Sequence, residues 1–418
     1  MARQFFETIV DADTARLLEV FKDLHRHPEL SFRETRTAGI VAQALKEQGF
    51  TVTTGIGGTG VVAILRNGAG PTVMYRADMD ALPVEEATGL DYASTVRVTR
   101  DDGTESPVAH VCGHDAHVTW MLGLAKVLAQ TKDEWSGTAV LIGQPAEELI
   151  GGAQAMVDDG LYNLVPKPDF FIGMHTAPAP VGMVLAAGGP RMAGTDQLDI
   201  VFTGVGGHGA LPQLAKDPVL MAALAVVEFQ MIVSRTVAPQ ETAVLTVGAL
   251  QAGSNHNVIP DRALLKANLR WFNPQVREQL IAGVKSVSEG IARTYGMPED
   301  QWPAITVKGG SPPLVNDDAL AERVAAALSE VLGPQNVLTQ VPAVTASEDC
   351  HLLKGPHTDV PLCFLMVGVA DPQVCAEAWA AGKLFPYSPH SPDYVVDLAA
   401  IPAGAKIASH VMLELLGS

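Results

Sequence analysis

At 418 residues the chain is too long for one small core, so two domains are expected. Apolar residues make up 47% and charged ones 18%, the profile of a well-buried globular enzyme and not of a disordered chain. A formal net charge of −18 argues against nucleic acid and against an anionic membrane surface as partners, so any positive charge that recognises an anionic substrate must be local.

The N-terminal stretch "MARQFFETIVDADTARLLEV" holds acidic residues and no apolar core of signal-peptide length. Residues 12–26 place Ala15, Leu18, Phe21 and Leu24 at helical spacing before Pro28, and a second amphipathic helix is expected over 37–48, ended by Gly49. Short apolar runs follow, "GVVAILRNG", "PTVMYRADMD", "GTAVLIGQPAEE" and "PDFFIGMH", with helical stretches such as 118–130 between them. That rhythm predicts an α/β fold, a mixed sheet covered by helices. No segment reaches the roughly 18 uninterrupted apolar residues of a membrane span. Cys112, Cys350, Cys363 and Cys375 are too few for a disulfide framework and suit a reducing compartment, so a soluble cytoplasmic protein is expected.

The pattern changes near Gly188. "DQLDIVFTG" alternates, with Leu198, Ile200 and Phe202 on one side. A helix is expected at 218–234, strands at 243–250 and 262–271, a helix at 275–294 and a strand at 304–308. This is a ferredoxin-like βαββαβ block. The expected organisation is a discontinuous catalytic domain, 1–189 and 308–418, with 190–307 inserted. "GIGGTG" and "GVGGHG" match the dinucleotide fingerprint but neither opens a helix, so both read as turn glycines.

"HVCGHDAHVTW", residues 110–120, puts a cysteine among three histidines and an aspartate. Such side chains are costly to bury without partners, so the stretch is a metal site, a cysteine nucleophile with its base, or a chance loop cluster. Other segments end in similar residues: Glu147–Glu148 after an apolar strand, His175 at the end of "FFIGMH", and His390 in "SPHSP". In extended or turn backbone, consecutive side chains point to opposite sides. One of the two glutamates can then bind a metal while the other takes a proton from water, the division of labour that metal-assisted hydrolysis needs. A thiolate from Cys112 beside His114 favours Zn²⁺ or another borderline metal.

Eight segments in order, "RADMDALP", "HVCGHDAH", "QPAEE", "GMH", "GGHGALP", "NVIPD", "SED" and "HSP", make the chain resemble the dinuclear metallo-amidohydrolases that include aminoacylases, hippurate hydrolases and indole-acetyl-amino-acid hydrolases. The resemblance covers nearly the whole sequence. It implies two divalent metal ions, Mn²⁺ or Zn²⁺, held by Cys112, His114, Glu148, His175 and His390, with Glu147 as general base and acid. It also implies that the inserted domain is a lid that forms a homodimer, with His208, Asn257 and Arg270 contacting a small N-acyl amino acid. Asp80 matches an acidic position behind the ligands, and Asp115 and His117 are expected to support the ligands without binding metal.

Some residues carry plainer readings. Ser347, Glu348 and Asp349 read as a helix cap, His25 and His27 as structural, and Arg270 in "LLKANLRWF" as a solvated strand residue unless the resemblance holds for it. Two rivals remain at this level: a thiol hydrolase with Cys112 as nucleophile and His114 or His117 as base, and a non-catalytic metal-binding dimer.

Overall fold

Apolar runs punctuated by turn residues become the strands of one eight-stranded sheet. Its spatial order is Thr51–Ile56, Gly60–Asn67, Gly137–Gln144, Thr72–Asp78, Phe170–Pro180, Leu362–Ala370, Val184–Leu185 and Val337–Leu338. The strands from Gly137–Gln144 to Leu362–Ala370 are mutually parallel, and helices cover them, so their sequences are almost continuously apolar. The computed structural model describes residues 2–100 and 103–417. This sheet belongs to a compact unit made of Met1–Arg191, Val315–Pro342 and Asp349–Ser418. "GIGGTG" is a hairpin turn joining Thr51–Ile56 to Gly60–Asn67, with Gly55, Gly57 and Gly58 at positive φ, as the absence of a following helix requires.

The second unit, Met192–Leu314 with Ala343–Glu348, holds the βαββαβ block. Its antiparallel strands lie in the order Ala243–Ala252, Arg262–Trp271, Gly194–Thr203 and Ala304–Ser311, and the helices Pro218–Met231 and Pro274–Thr294 pack on one face. Leu198, Ile200 and Phe202 enter that unit's own core with Phe229, Leu265 and Leu280. Sequence alone put the insert at 190–307. The unit extends past 307 because the last strand stays paired with Gly194–Thr203 as far as Ser311.

The helix His114–Gln130 is the axis of the first unit. Every residue from His114 to Ala125 is buried, so its apolar positions run all round instead of along one stripe. It packs between the helices Ala2–Arg26 and Ala400–Leu416. Trp120 donates its indole N–H to the carbonyl of Ala400 at 3.0 Å, and a Cβ at Gly404 would lie 2.2 Å from that ring. At the other end His25 bridges Asp115, 2.7 Å away, and Glu86, 3.1 Å away, and all three side chains are buried. Burial opposes the charged imidazole, but the hydrogen bonds and charges of Asp115 and Glu86 win and push its pKa up to about 9. His25 is thus structural, as expected, yet it ties the N-terminal helix to the residue beside His114.

Two stability predictions follow from this packing. Gly404→Ala improves intrinsic helix propensity by about 1 kcal/mol. The rigid indole cannot yield to the new methyl, and overpacking typically costs about 1–3 kcal/mol, so the denaturation midpoint is expected to fall. For His25 the folded pKa lies above the ordinary 6.5, so its contribution is complete below about pH 6.5 and lost as pH rises through about 9. The stability gap between the wild type and His25→Gln should therefore be wide at pH 6 and narrow at pH 9.5, and an unchanged gap would contradict the charged bridge.

Candidate metal centre

Parallel register brings the site together. Asp78 pairs with Gln144 at the carboxyl ends of their strands, and Arg76 pairs with Gly173 two residues before His175. Loops leaving this end carry the remaining groups, the usual location of sites in α/β sheets. His175 departs from expectation: it lies inside the longer strand Phe170–Pro180, which continues because Leu362–Ala370 pairs with it beyond Met366.

Cys112 and His114 flank Gly113, whose φ of 84° and contact with Thr176, 2.7 Å from an added Cβ, exclude a side chain there. This left-handed residue starts the axial helix, so His114 occupies its first position. Nδ1 of His114 bonds the carbonyl of Asp80 at 2.9 Å and lies 3.2 Å from its carboxylate. In the neutral ring that donates there the N–H is on Nδ1 and Nε2 presents its lone pair, and this buried nitrogen has no hydrogen-bond partner. His175 is set the same way, donating from Nδ1 to the carbonyl of Thr176 at 2.7 Å while Nε2 faces Sγ of Cys112 at 3.4 Å. Burial disfavours the thiolate of Cys112, but the charged forms of His175 and His114 outweigh it and hold the thiol well below its usual range.

Glu147 and Glu148 do not sit in extended backbone. They open a single 3₁₀ turn, Glu147–Leu149, bounded by Ala146 at φ 49° and Ile150 at φ 53°. Left-handed backbone costs an ordinary residue roughly 1–2 kcal/mol, so this turn needs support. The consequence is convergence: Nε2 of His114 lies 3.9 Å from a carboxylate oxygen of each. Oε1 of Glu148 also faces Nε2 of His390 at 3.4 Å. His390 itself has φ 65°, and its N–H donates to the carbonyl of Val111 at 2.8 Å, which ties the proline-bounded loop to the Cys112 segment. Burial, then the negative Cys112, push Glu148 up to about 7.

The donor set fits divalent metal. Cys112, His114 and His175 have ligand atoms within 4.8 Å of one another, as do Cys112, Glu148 and His390, and the two triads share the sulfur. Oε1 of Glu148 and Nε2 of His114 are both buried without hydrogen-bond partners, as atoms kept for a cation would be. Asp78, His114 and His117 are equally close, but that grouping is already satisfied. His117 bonds Asp78 through Nδ1 at 2.5 Å and accepts the N–H of Thr176 on Nε2 at 2.8 Å, leaving no lone pair for metal. Burial holds it neutral, with a pKa of about 3. Asp115 is likewise occupied by His25 and the N–H of Ala116.

Sequence reading missed the layer beneath. Arg76 is fully buried, bonding Asp78 at 2.7 Å and Gln144 at 2.8 Å, with Asp349 at 3.7 Å. Burial works against ionised Asp78, but Arg76, His114 and His117 hold its carboxyl well below the usual range. Asp349 is not a cap for its own segment: it accepts from Gln144 at 2.6 Å and from the N–H of Ala153, in a different helix, at 3.1 Å. The available signal was a pair of charges, Arg76 and Asp78, inside an apolar run. Asp80, expected from the resemblance to lie behind the ligands, has its partners in view. One oxygen faces His114, and the other accepts from the N–H of Glu148 at 3.0 Å and the hydroxyl of Ser31 at 2.7 Å.

His208, Asn257 and Arg270 belong to the second unit. His208 is exposed on a short ribbon where it pairs with Val258, and the carbonyl of Asn257 accepts the N–H of Gly209 at 2.8 Å. Arg270 is not a solvated strand residue. It is half-buried, bonding Asn268 at 2.7 Å and also Ser347, whose hydroxyl donates to the carbonyl of Ala193.

Comparison with known proteins gives this geometry a family. Residues 74–414 match peptidase family M20/M25/M40. A hippurate hydrolase of Campylobacter jejuni is 38% identical over 328 residues, covering 78% of this chain and 82% of that protein. The IAA-amino acid hydrolase ILR1-like 4 of Arabidopsis thaliana is 32% identical over 413 residues, 96% of this chain and 87% of that one. Among solved structures, the YXEP protein of Bacillus subtilis, described as a dinuclear metal binding peptidase from the M20 family, superposes with a TM-score of 0.74 at 28% identity, covering 97% of this chain and 99% of that one. With its sheet, its buried Cys–His–Glu cluster and these relatives in agreement, the chain belongs to the M20/M25/M40 peptidase family and is an amidohydrolase.

Proposed function

We propose that this amidohydrolase cleaves N-acyl amino acids, or small amides bearing a free carboxylate, with two divalent metal ions and Glu147 as proton carrier. The observation that carries this reading is the pair of ligand triads sharing Cys112, with Glu147 beside them but outside both. Cys112, His114, Glu148, His175 and His390 would hold the ions, Mn²⁺ or Zn²⁺, and the thiolate favours the more thiophilic of these. Bound there, the ions would acidify water and polarise the amide carbonyl.

Glu147 takes a proton from the attacking water, whose oxygen bonds to the carbonyl carbon. It then returns that proton to the amide nitrogen as the carbon–nitrogen bond breaks, releasing a carboxylic acid and an amino acid. His208 stabilises the oxyanion of the tetrahedral intermediate. Arg270 and Asn257 hold the substrate carboxylate, the local positive charge that an acidic protein requires. The names hippurate hydrolase and IAA-amino acid hydrolase, borne by relatives, support an acyl amino acid as substrate.

The second unit offers a surface for a second copy of the chain. Most residues of the helical stretch Pro218–Thr236 are not buried. Met221, Ala222, Ala225 and Phe229 pack on that unit's sheet, while Leu220, Leu224, Val227 and Met231 form an exposed apolar stripe. Beside it the strand Ala243–Ala252 is a sheet edge. An isologous dimer covers both the stripe and the edge.

Glu147→Gln keeps the shape but cannot take the proton. It should lower kcat by about 10²–10⁴ with metal content unchanged, whereas Glu148→Gln should lower metal occupancy first. Elemental analysis beside an acyl-amino-acid assay reads both, and full activity in chelated, metal-free protein would overturn the metal mechanism. Arg270→Ala should raise KM for substrates with a free carboxylate far more than for their amides, by roughly 1.5–3 kcal/mol of lost charge-assisted bonding. Equal effects on both substrate classes would mean that Arg270 only supports its own unit.

A further inference from the structure

Two backbone amides in left-handed conformation converge on one carboxylate oxygen. Phe32, at φ 62°, and Ala146, at φ 49°, donate their N–H groups to Oε1 of Glu34 at 2.9 and 2.8 Å. Oε2 of the same residue accepts the hydroxyl of Thr59 at 2.5 Å, and Glu34 has no exposed surface. Its carboxylate is thus filled by three donors from three separate segments. None of them is a metal-ligand candidate, and neither the proton transfer nor substrate recognition uses Glu34.

Ala146 is the residue immediately before Glu147. Its left-handed φ sets the direction in which the 3₁₀ turn leaves the strand Gly137–Gln144, and so where the Glu147 carboxylate points. Another support of that turn, the bond from the N–H of Glu148 to Asp80, acts on the ligand and not on the base. We propose that Glu34 is a positioning residue for Glu147: by holding the Ala146 amide it keeps the base aligned on the reacting water. This rests on the reading of Glu147 as base. It also gives the segment from Ser31 to Glu34 a role. Ser31 bonds Asp80 behind the ligand Glu148 while Glu34 bonds Ala146 behind the base, so one loop braces both neighbours.

The role requires an acceptor and not a charge, which separates it from a salt-bridge or titration effect. Glutamine keeps a carbonyl oxygen for the two N–H groups, and its amide can donate to Thr59 once that hydroxyl rotates.

The test compares Glu34→Ala, Glu34→Gln and Glu147→Gln in the full chain. It reads kcat, KM, bound metal, and amide hydrogen exchange over 144–150 in the metal-free protein. A misplacement of about 1 Å can cost on the order of 10²-fold in rate, so Glu34→Ala should lose kcat on that scale while KM and metal content hold. Exchange at Ala146 should quicken in the same variant, and Glu34→Gln should restore both kcat and protection. Wild-type kcat in Glu34→Ala alongside an inactive Glu147→Gln overturns the proposal and leaves the base intact. Glutamine as damaging as alanine also overturns it, since then charge and not acceptance matters. A fully active Glu147→Gln removes the base itself, and the proposal falls with that reading. Should Glu34→Ala fail to fold, Thr59→Val loosens the same carboxylate: reduced kcat with KM held supports the proposal, and unchanged kcat overturns it.

Discussion

A guanidinium sealed from water underlies the candidate metal centre. Arg76 has no exposed surface, and a buried charge of this kind persists only with compensating charge and full hydrogen bonding. Asp78, Gln144 and the nearby Asp349 supply both. Removing one partner would leave an uncompensated charge, which typically costs about 3–5 kcal/mol. The arrangement therefore locks the ends of two parallel strands to the segment at Asp349, and the imidazoles are built on that floor.

From there the constraint passes upward through a chain of hydrogen bonds. Asp78 occupies His117, which in turn accepts the N–H of Thr176, whose hydroxyl donates to the carbonyl of Cys112. Asp80 and the Thr176 carbonyl fix the tautomers of His114 and His175, so that the Nε2 lone pairs face the sulfur side. In metal sites such outer partners orient the ligands and raise their basicity, and the bonds behind this donor set fit that pattern. The thiol-nucleophile reading fares poorly here. It would give Cys112 a base, but it leaves the Glu148 carboxylate, which faces His114 and His390, without a task.

Strain is concentrated where the chemistry is assigned. Ala146, Ile150 and His390 are left-handed non-glycine residues within the turn and loop that deliver Glu147, Glu148 and His390. Conformations of this kind persist only where surrounding bonds over-determine them. Glu34, Asp80 and the carbonyl of Val111 provide those bonds, each from a distant part of the sequence.

Local chemistry determined much of this protein from its sequence. Periodicity placed the strands and helices, because burial on one face or both imposes a period that the chain must obey. The rhythm changes near Gly188, close to Met192 where the second compact unit begins, and ligand-type residues from the strand ends and the 110–117 cluster lie close enough together to hold a cation. Three things were decided only by tertiary structure. Arg76 and Asp349, 273 positions apart by subtraction of their numbers, meet across a separation that carries no local signature. Glu147 and Glu148 converge because Ala146 is held left-handed by Glu34, a long-range bond that overrides the alternation expected of extended backbone. Arg270 is half-buried because Ser347 and Asn268 claim its donors, which no pattern within its own strand reveals. The period of a sequence reports which face is buried. It does not report which distant polar group will be waiting there.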